Sequence, residues 1–362
     1  MAFFMTSDPL AFRKAVNKAM HIPDGYLSPQ TYVPSYVAIV PIWALAANRL
    51  KQSLRQKHVP LLSLCAAFSF IIMMFNVPLA GTTGHAVGAV LIAILLGPWA
   101  ATIAVSLALI VQAFLFGDGG VTAIGANCLN MAVIMPWAGW GVYRLVAGSS
   151  KITSRRRCVA GAIGGYVGLN AAALSTAIMF GIQPMIAHTA DGHALYNPFG
   201  LSIAVPALLG SHLILFGFVE AIVTGLVVRY FQRTDPGLLS TYVGNADLVS
   251  ANSEARQPIF KRAFGGLIAL VILSPMGLYL PTKFAAGSAW GEWSANEIGK
   301  MAGYVPQQLK HTGSIWHAPL PDYAIPKQGM PHLSYIVSAV IGVAVLMLVV
   351  VLCRKLYSQG KR

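Results

Sequence analysis

Charge is what this chain has least of. Only 10% of its 362 residues are Asp, Glu, Lys or Arg, where a soluble domain carries about 25%. Hydrophobic residues make up 56% and the mean hydropathy is +0.65. A soluble fold is excluded, and the composition predicts an all-α polytopic membrane protein. Acids are scarcer still, 11 against 25 Lys and Arg, for a net charge of +14. That balance does not point to nucleic acid, which needs basic residues clustered on a polar face. Here they sit between apolar runs.

Further absences narrow the chemistry. The four cysteines (Cys65, Cys128, Cys158, Cys353) form no CxxC pair, so neither a zinc knuckle nor a disulfide framework is supported. There is no GxxxxGK[ST] loop to grip nucleotide phosphates. No HExxH, paired acids or Ser/His/Asp set falls at membrane depth, and no enzyme activity is expected.

What is present is organisation. Nine apolar runs approach the roughly 20 residues that cross a bilayer: 32–48, 60–76, 84–97, 98–116, 121–143, 158–181, 201–228, 263–281 and 333–353. The third is short and glycine-containing and reads as a broken or tilted helix. With nine spans and the N-terminus outside, 18 of the 25 basic residues fall in inside segments: 49–58, 144–157, 229–262 and the tail. The positive-inside rule therefore predicts N-out, C-in. Arg13, Lys14 and Lys18, all before Met20, are the exceptions on the approach to the first helix. The expected divisions are an N-terminal extension 1–19, a seven-helix block 20–231, a cytoplasmic linker 232–262, a two-helix unit 263–353 with an outer loop, and a basic tail 354–362. Glu220 is the sole acid in the predicted spans, thin support for proton or sodium coupling.

Nine histidines are the natural candidates. His58 and His311 read as solvated loop residues, and His188, His193, His317 and His332 lie on the outer side without close ligand spacing. His212 and Glu220 share the seventh run and read as a structural hydrogen-bonded pair. His85, in "FNVPLAGTTGHAVGAVL" (75–91), gains interest from His21 on the same side of the membrane. If Met20 is a free N-terminus, its amine, the amide nitrogen of His21 and the His21 imidazole close five- and six-membered chelate rings. Three nitrogens in a plane leave a fourth corner for His85, a geometry that favours Ni(II) or Cu(II) and can hold Co(II). Asp24, with Asn76 as a further candidate, would orient a ligand nitrogen from behind. By spacing alone this set is weak.

Three stretches add to it. "MHIPDGYLSP" (20–29), "NVPLAGTTGHAVGAVLIAILLGPWAA" (76–101) and "FGDGGVTAIGANCLNMAVI" (116–134) resemble the CbiM/NikM family of cobalt or nickel S components, the substrate-binding membrane subunits of energy-coupling factor transporters. The unit 263–353, with "AWGEW" and "APLPDY", looks like the small auxiliary subunit fused in some members. The resemblance implies metal ligation by Met20, His21 and His85, with no cofactor and Co2+ or Ni2+ as cargo. It also implies a transmembrane coupling subunit and two cytoplasmic ATPases as partners in the inner membrane. Neighbouring cobalamin-biosynthesis genes would argue for cobalt, urease or hydrogenase genes for nickel. The competing expectation is a stand-alone secondary permease or channel. The extension departs from the pattern, because it turns the Met20 amine into an amide. A misassigned start with Met20 as initiator, a cut after Ala19, or different ligands would each resolve the conflict.

Overall fold

A computed structural model of the chain describes residues 21–53, 59–79, 81–240, 256–312, 315–325 and 330–359. The extension 1–19, Met20 and the middle of the linker, 241–255, lie outside the described residues. The first block comprises α1 (Pro29–Ser53), α2 (Val59–Met73), a hairpin of β1 (Val77–Leu79) and β2 (Thr82–Gly84), and α3 (Ala89–Leu96). Three long rods follow α4 (Pro98–Phe116): α5 (124–147), α6 (Arg155–Gly181) and α7 (Leu201–Thr234). The second unit contributes α8 (Arg256–Leu273), three short helices and α9 (Pro331–Gln359), with a 3-10 turn at Pro321–Tyr323.

Among the described residues six helices are long and apolar enough to cross a membrane: Pro29–Leu50, Pro98–Phe116, Arg155–Ile186, Leu201–Thr234, Lys261–Lys283 and Pro331–Leu352. The expected nine crossings are not reproduced as nine full spans. The shorter apolar helix Pro60–Met73 and the mixed-polarity rod 124–147 account for two of the remaining runs. The run 84–97 behaves differently. Only Ala89–Leu96 is helical, about 12 Å of rise against a hydrocarbon core of about 30 Å. Gly88, at φ 73°, starts α3 where a Cβ would strike the Phe68 ring, and Gly97 with Pro98 ends it. All eight residues of α3 are buried, as a helix apolar on every side must be. The result is a hairpin and half-helix inserted among the rods, with His85 at the join.

Small residues let the rods close around it. A Cβ on Gly139 of α5 would meet the Gly164 carbonyl of α6 at 2.6 Å, and the reverse substitution would clash equally. Such close approach between helices is the means of packing available where lipid removes the hydrophobic drive. Outward residues such as Val37, Ile214 and Leu226 are exposed, the apolar girdle a bilayer covers. The second unit packs on α2: Tyr335 donates to the Met74 carbonyl at 2.9 Å, and Gly342 admits the Phe70 ring. Its loop returns across the first block, where the Leu320 amide donates to the Leu115 carbonyl at 3.0 Å.

Candidate metal centre

The segment before α1 is threaded into the protein. His21, Ile22, Tyr26, Leu27 and Ser28 are all buried. Asn127, at the start of the α5 rod, fixes this segment from two sides, accepting from the Ile22 amide at 3.0 Å and donating to the Ile22 carbonyl at 3.2 Å. Gly120 also donates to the Ile22 carbonyl at 2.9 Å. The Ser28 amide donates to Gln183 at 2.8 Å. Tyr26 donates to the Trp293 carbonyl of the second unit; its phenol is held protonated, pushed up by burial and by the nearby Glu292.

His21 therefore arrives at a defined place, yet its ring is left over. It is 3% exposed and neither ring nitrogen has an aligned hydrogen-bond partner among the described residues. Asp118 Oδ1 lies 2.8 Å from Nδ1, close enough for an ion-pair contact but off the donor direction. A buried polar group in this condition costs free energy unless something satisfies it. The His85 ring stands opposite, centroid to centroid 5.3 Å and inclined by 68°. Its Nδ1 is 3.0 Å from the Ala86 carbonyl. A carbonyl only accepts, so Nδ1 carries the proton and Nε2 keeps its lone pair. Burial first, and then His21, lower the His85 pKa to about 4. The imidazole is neutral at physiological pH, as a metal ligand must be.

The His85 loop is held through its backbone. Glu220 of α7 accepts from the Val87 amide at 2.8 Å and from the Gly88 amide at 3.1 Å. The carboxylate thus caps α3, where the helix dipole favours an anion. His212 turns elsewhere, its Nδ1 at 2.8 Å from the Leu208 carbonyl. The pair expected between His212 and Glu220 does not form: each is committed to backbone. Asp24 also departs from expectation. Its carboxylate accepts from the Val121 and Thr122 amides at 3.1 and 2.8 Å and from the Thr122 hydroxyl. It anchors the threaded segment to the α4–α5 connection instead of orienting a ligand nitrogen. The backbone nitrogen of Asn76 lies against Gly277 of the second unit, and Asn76 does not line the cavity.

A cavity of about 80 Å³ opens beside the two histidines, room for several waters or one partly hydrated ion. His21, His85, Asn127 and His212 line it from the first block, and Ala289, Trp290 and Glu292 from the second unit. Among the described residues no three His, Cys, Asp or Glu side chains converge on one ion position. Sequence reasoning missed Asp118 and Asn127 as individuals, though both lie in the quoted stretch 116–134. An acid flanked by Gly117 and Gly119 was the available signal. Gly119 is at φ 93°, and a Cβ there would come within 3.0 Å of the His21 Cβ.

Comparison with known proteins agrees with this layout. Residues 21–238 match the family model CbiM, cobalt uptake substrate-specific transmembrane region, and residues 261–359 match the PDGLE domain. The fused nickel transport protein NikMN of Rhodobacter capsulatus is 44% identical, over 90% of this chain and 95% of that relative. The probable fused nickel transport protein LarMN of Lactiplantibacillus plantarum is 41% identical, over 91% and 96%. The crystal structure of a truncated transition metal transporter, 52% identical, superposes with a TM-score of 0.56 over 59% of this chain and 99% of its own. The protein with the half-helix, the paired histidines and the fused second unit is a multi-pass membrane protein and belongs to the CbiM family of nickel and cobalt transport proteins, joined here to a PDGLE domain.

Proposed function

We propose that this chain is the substrate-capture subunit of an ATP-driven energy-coupling factor importer in the cell's inner membrane, oriented N-out and C-in. Its cargo is Ni(II), with Co(II) the competitor. Nitrogen donors rank Ni(II) above Co(II), and the relatives that match over nine-tenths of the chain carry nickel in their names. The ligands are the Met20 amine, the amide and imidazole nitrogens of His21, and His85 Nε2. The reading requires a mature chain that begins at Met20.

The observation that carries it is the buried His21 ring, both nitrogens without an aligned partner, facing a neutral imidazole across 5.3 Å. A cation placed between them satisfies both. Chelation through Nδ1 asks the ring to part from Asp118 or to turn about its Cβ–Cγ bond. The energy source lies in partners, a coupling subunit and two ATPases. Support comes from the missing nucleotide loop and from Glu220, which is spent on two backbone amides and so is not a free carrier of protons. The test has two parts. Intact mass of the native protein reads its first residue, and equilibrium dialysis with Ni(II) compares that protein with a chain kept extended to Met1. Tight binding by the native form and loss by the extended form are expected; equal affinity overturns the amine ligand. Uptake into cells that lack the ATPases would favour a stand-alone permease.

A further inference from the structure

We propose that Tyr323 of the second unit is a positioning residue of the metal centre, acting on His21 through the Asp118 carboxylate. The inference rests on the capture reading above and adds to it a specific duty for the PDGLE unit.

The chain of contacts is continuous and buried. Tyr323 donates its hydroxyl proton to Asp118 Oδ2. Gln112 holds both members, donating to the Tyr323 oxygen at 3.0 Å and to Asp118 Oδ2 at 3.3 Å. With Oδ2 so occupied, Oδ1 is turned to His21, 2.8 Å from Nδ1. His21, Gln112, Asp118 and Tyr323 are each 7% exposed or less. Water therefore does not substitute for these contacts, and the carboxylate has one favoured rotation. The carboxylate holds the chelating Nδ1 and so fixes the ring plane of His21 until the cation takes that nitrogen from it, which lowers the cost of ordering on binding.

Two features of the second unit show that the hydroxyl is placed deliberately. Asp322 and Tyr323 both have positive φ, 55° and 59°, a conformation that side chains other than glycine adopt at a cost and that marks functional sites. The ring is clamped as well, stacked on Phe116 at 4.7 Å and against Tyr335 at 5.4 Å. Ser338 of α9 donates to the Tyr323 carbonyl at 2.8 Å. Stacking alone would be served equally by Phe. The hydroxyl is the part that reaches the centre.

That division gives the test. Tyr323→Phe keeps the ring in its clamp and removes only the donor, while Asp118→Ala removes the link. Ni(II) affinity of the full native chain in detergent is measured for wild type, each single variant and the double variant, alongside thermal unfolding and the visible ligand-field spectrum of bound Ni(II). Tyr323→Phe is expected to bind about tenfold more weakly, the cost of ordering one side chain that is no longer held in place, with a shifted spectrum. In the Asp118→Ala background it should cost almost nothing further, because residues acting through one another are not additive. Wild-type affinity and spectrum in Tyr323→Phe overturn the proposal, and so does a full tenfold loss added to that of Asp118→Ala. Loss of thermal stability with an unchanged spectrum assigns Tyr323 to packing and also overturns it. A wild-type chain that binds neither Ni(II) nor Co(II) overturns the capture reading itself, an outcome distinct from the others.

Discussion

The two histidines that face each other are held by opposite means. His85 sits on a short loop gripped from α7: Glu220 takes two consecutive amides and the buried half-helix α3 follows directly. His21 sits on a threaded segment that has no helix of its own, fixed through the backbone of its neighbour Ile22 by Asn127. One ring has its proton assigned by the adjacent carbonyl; the other has both nitrogens unaligned. In the proposed function this contrast separates a preformed ligand from one that a cation would complete. Preorganisation lowers the cost of ordering on binding, so on that proposal the His85 side would fix where the ion sits and the His21 side would close upon it.

The strongest way to break that contrast is to remove the preformed ligand. His85→Ala deletes the one donor whose lone pair is already directed, and Ni(II) affinity should fall more than about 100-fold, beyond the range of groups that act from behind a ligand. Equilibrium dialysis checks it, with thermal unfolding as a control for folding. A loss below tenfold would show that the ion sits elsewhere.

Next in size is the grip on each histidine. Glu220→Ala strands the Val87 and Gly88 amides in a buried place, a loss of about 1–3 kcal/mol for each unsatisfied group. Asn127→Ala strands the Ile22 amide alone, because Gly120 still donates to the Ile22 carbonyl, and so costs about half as much. Both variants should bind Ni(II) about 10- to 100-fold more weakly, but differently. Glu220→Ala should also lower the unfolding temperature of the metal-free chain more, since it uncaps α3 in the core. Asn127→Ala should act chiefly on affinity. Equal effects on both measurements would erase the distinction drawn between a preformed and a completed side.

How much of this was legible in the chain depends on what each residue does there. Apolar runs gave the rods because burial in lipid demands about 20 residues of one character. The run 84–97 misled because hydropathy does not distinguish a helix buried among helices from one that crosses. Gly88, Gly97 and Pro98 were the cues that the run is cut short. His21 and His85 were picked out by donor chemistry together with the family resemblance, and they do meet. Asp24 and Glu220 were correctly noticed and wrongly employed, since an acid in sequence looks the same whether it takes backbone amides or backs a ligand. Tyr323 was invisible as a site residue: its partner Asp118 is 205 positions away, and no local spacing encodes such a contact.

The smallest effect separates the two sides by acidity. Burial holds the His85 pKa at about 4, below the ordinary 6.5. In the unfolded chain the imidazole returns to 6.5, so between these values the unfolded state binds more protons than the folded one. Stability then rises with pH across that window, and acidification from about 6.5 towards 4 should destabilise the metal-free chain by about 1 kcal/mol per pH unit from this residue. Above 6.5 the contribution is complete and the dependence vanishes. His85→Ala should flatten the slope of unfolding temperature against pH in that window, whereas Asn127→Ala should change it less, because it disturbs His21, the second cause of the lowered value, and leaves burial, the first, in place. Parallel slopes in wild type and His85→Ala would mean that the ring opposite His21 is not shut away from protons, and the neutral, directed lone pair on which the preformed side depends would lose its basis.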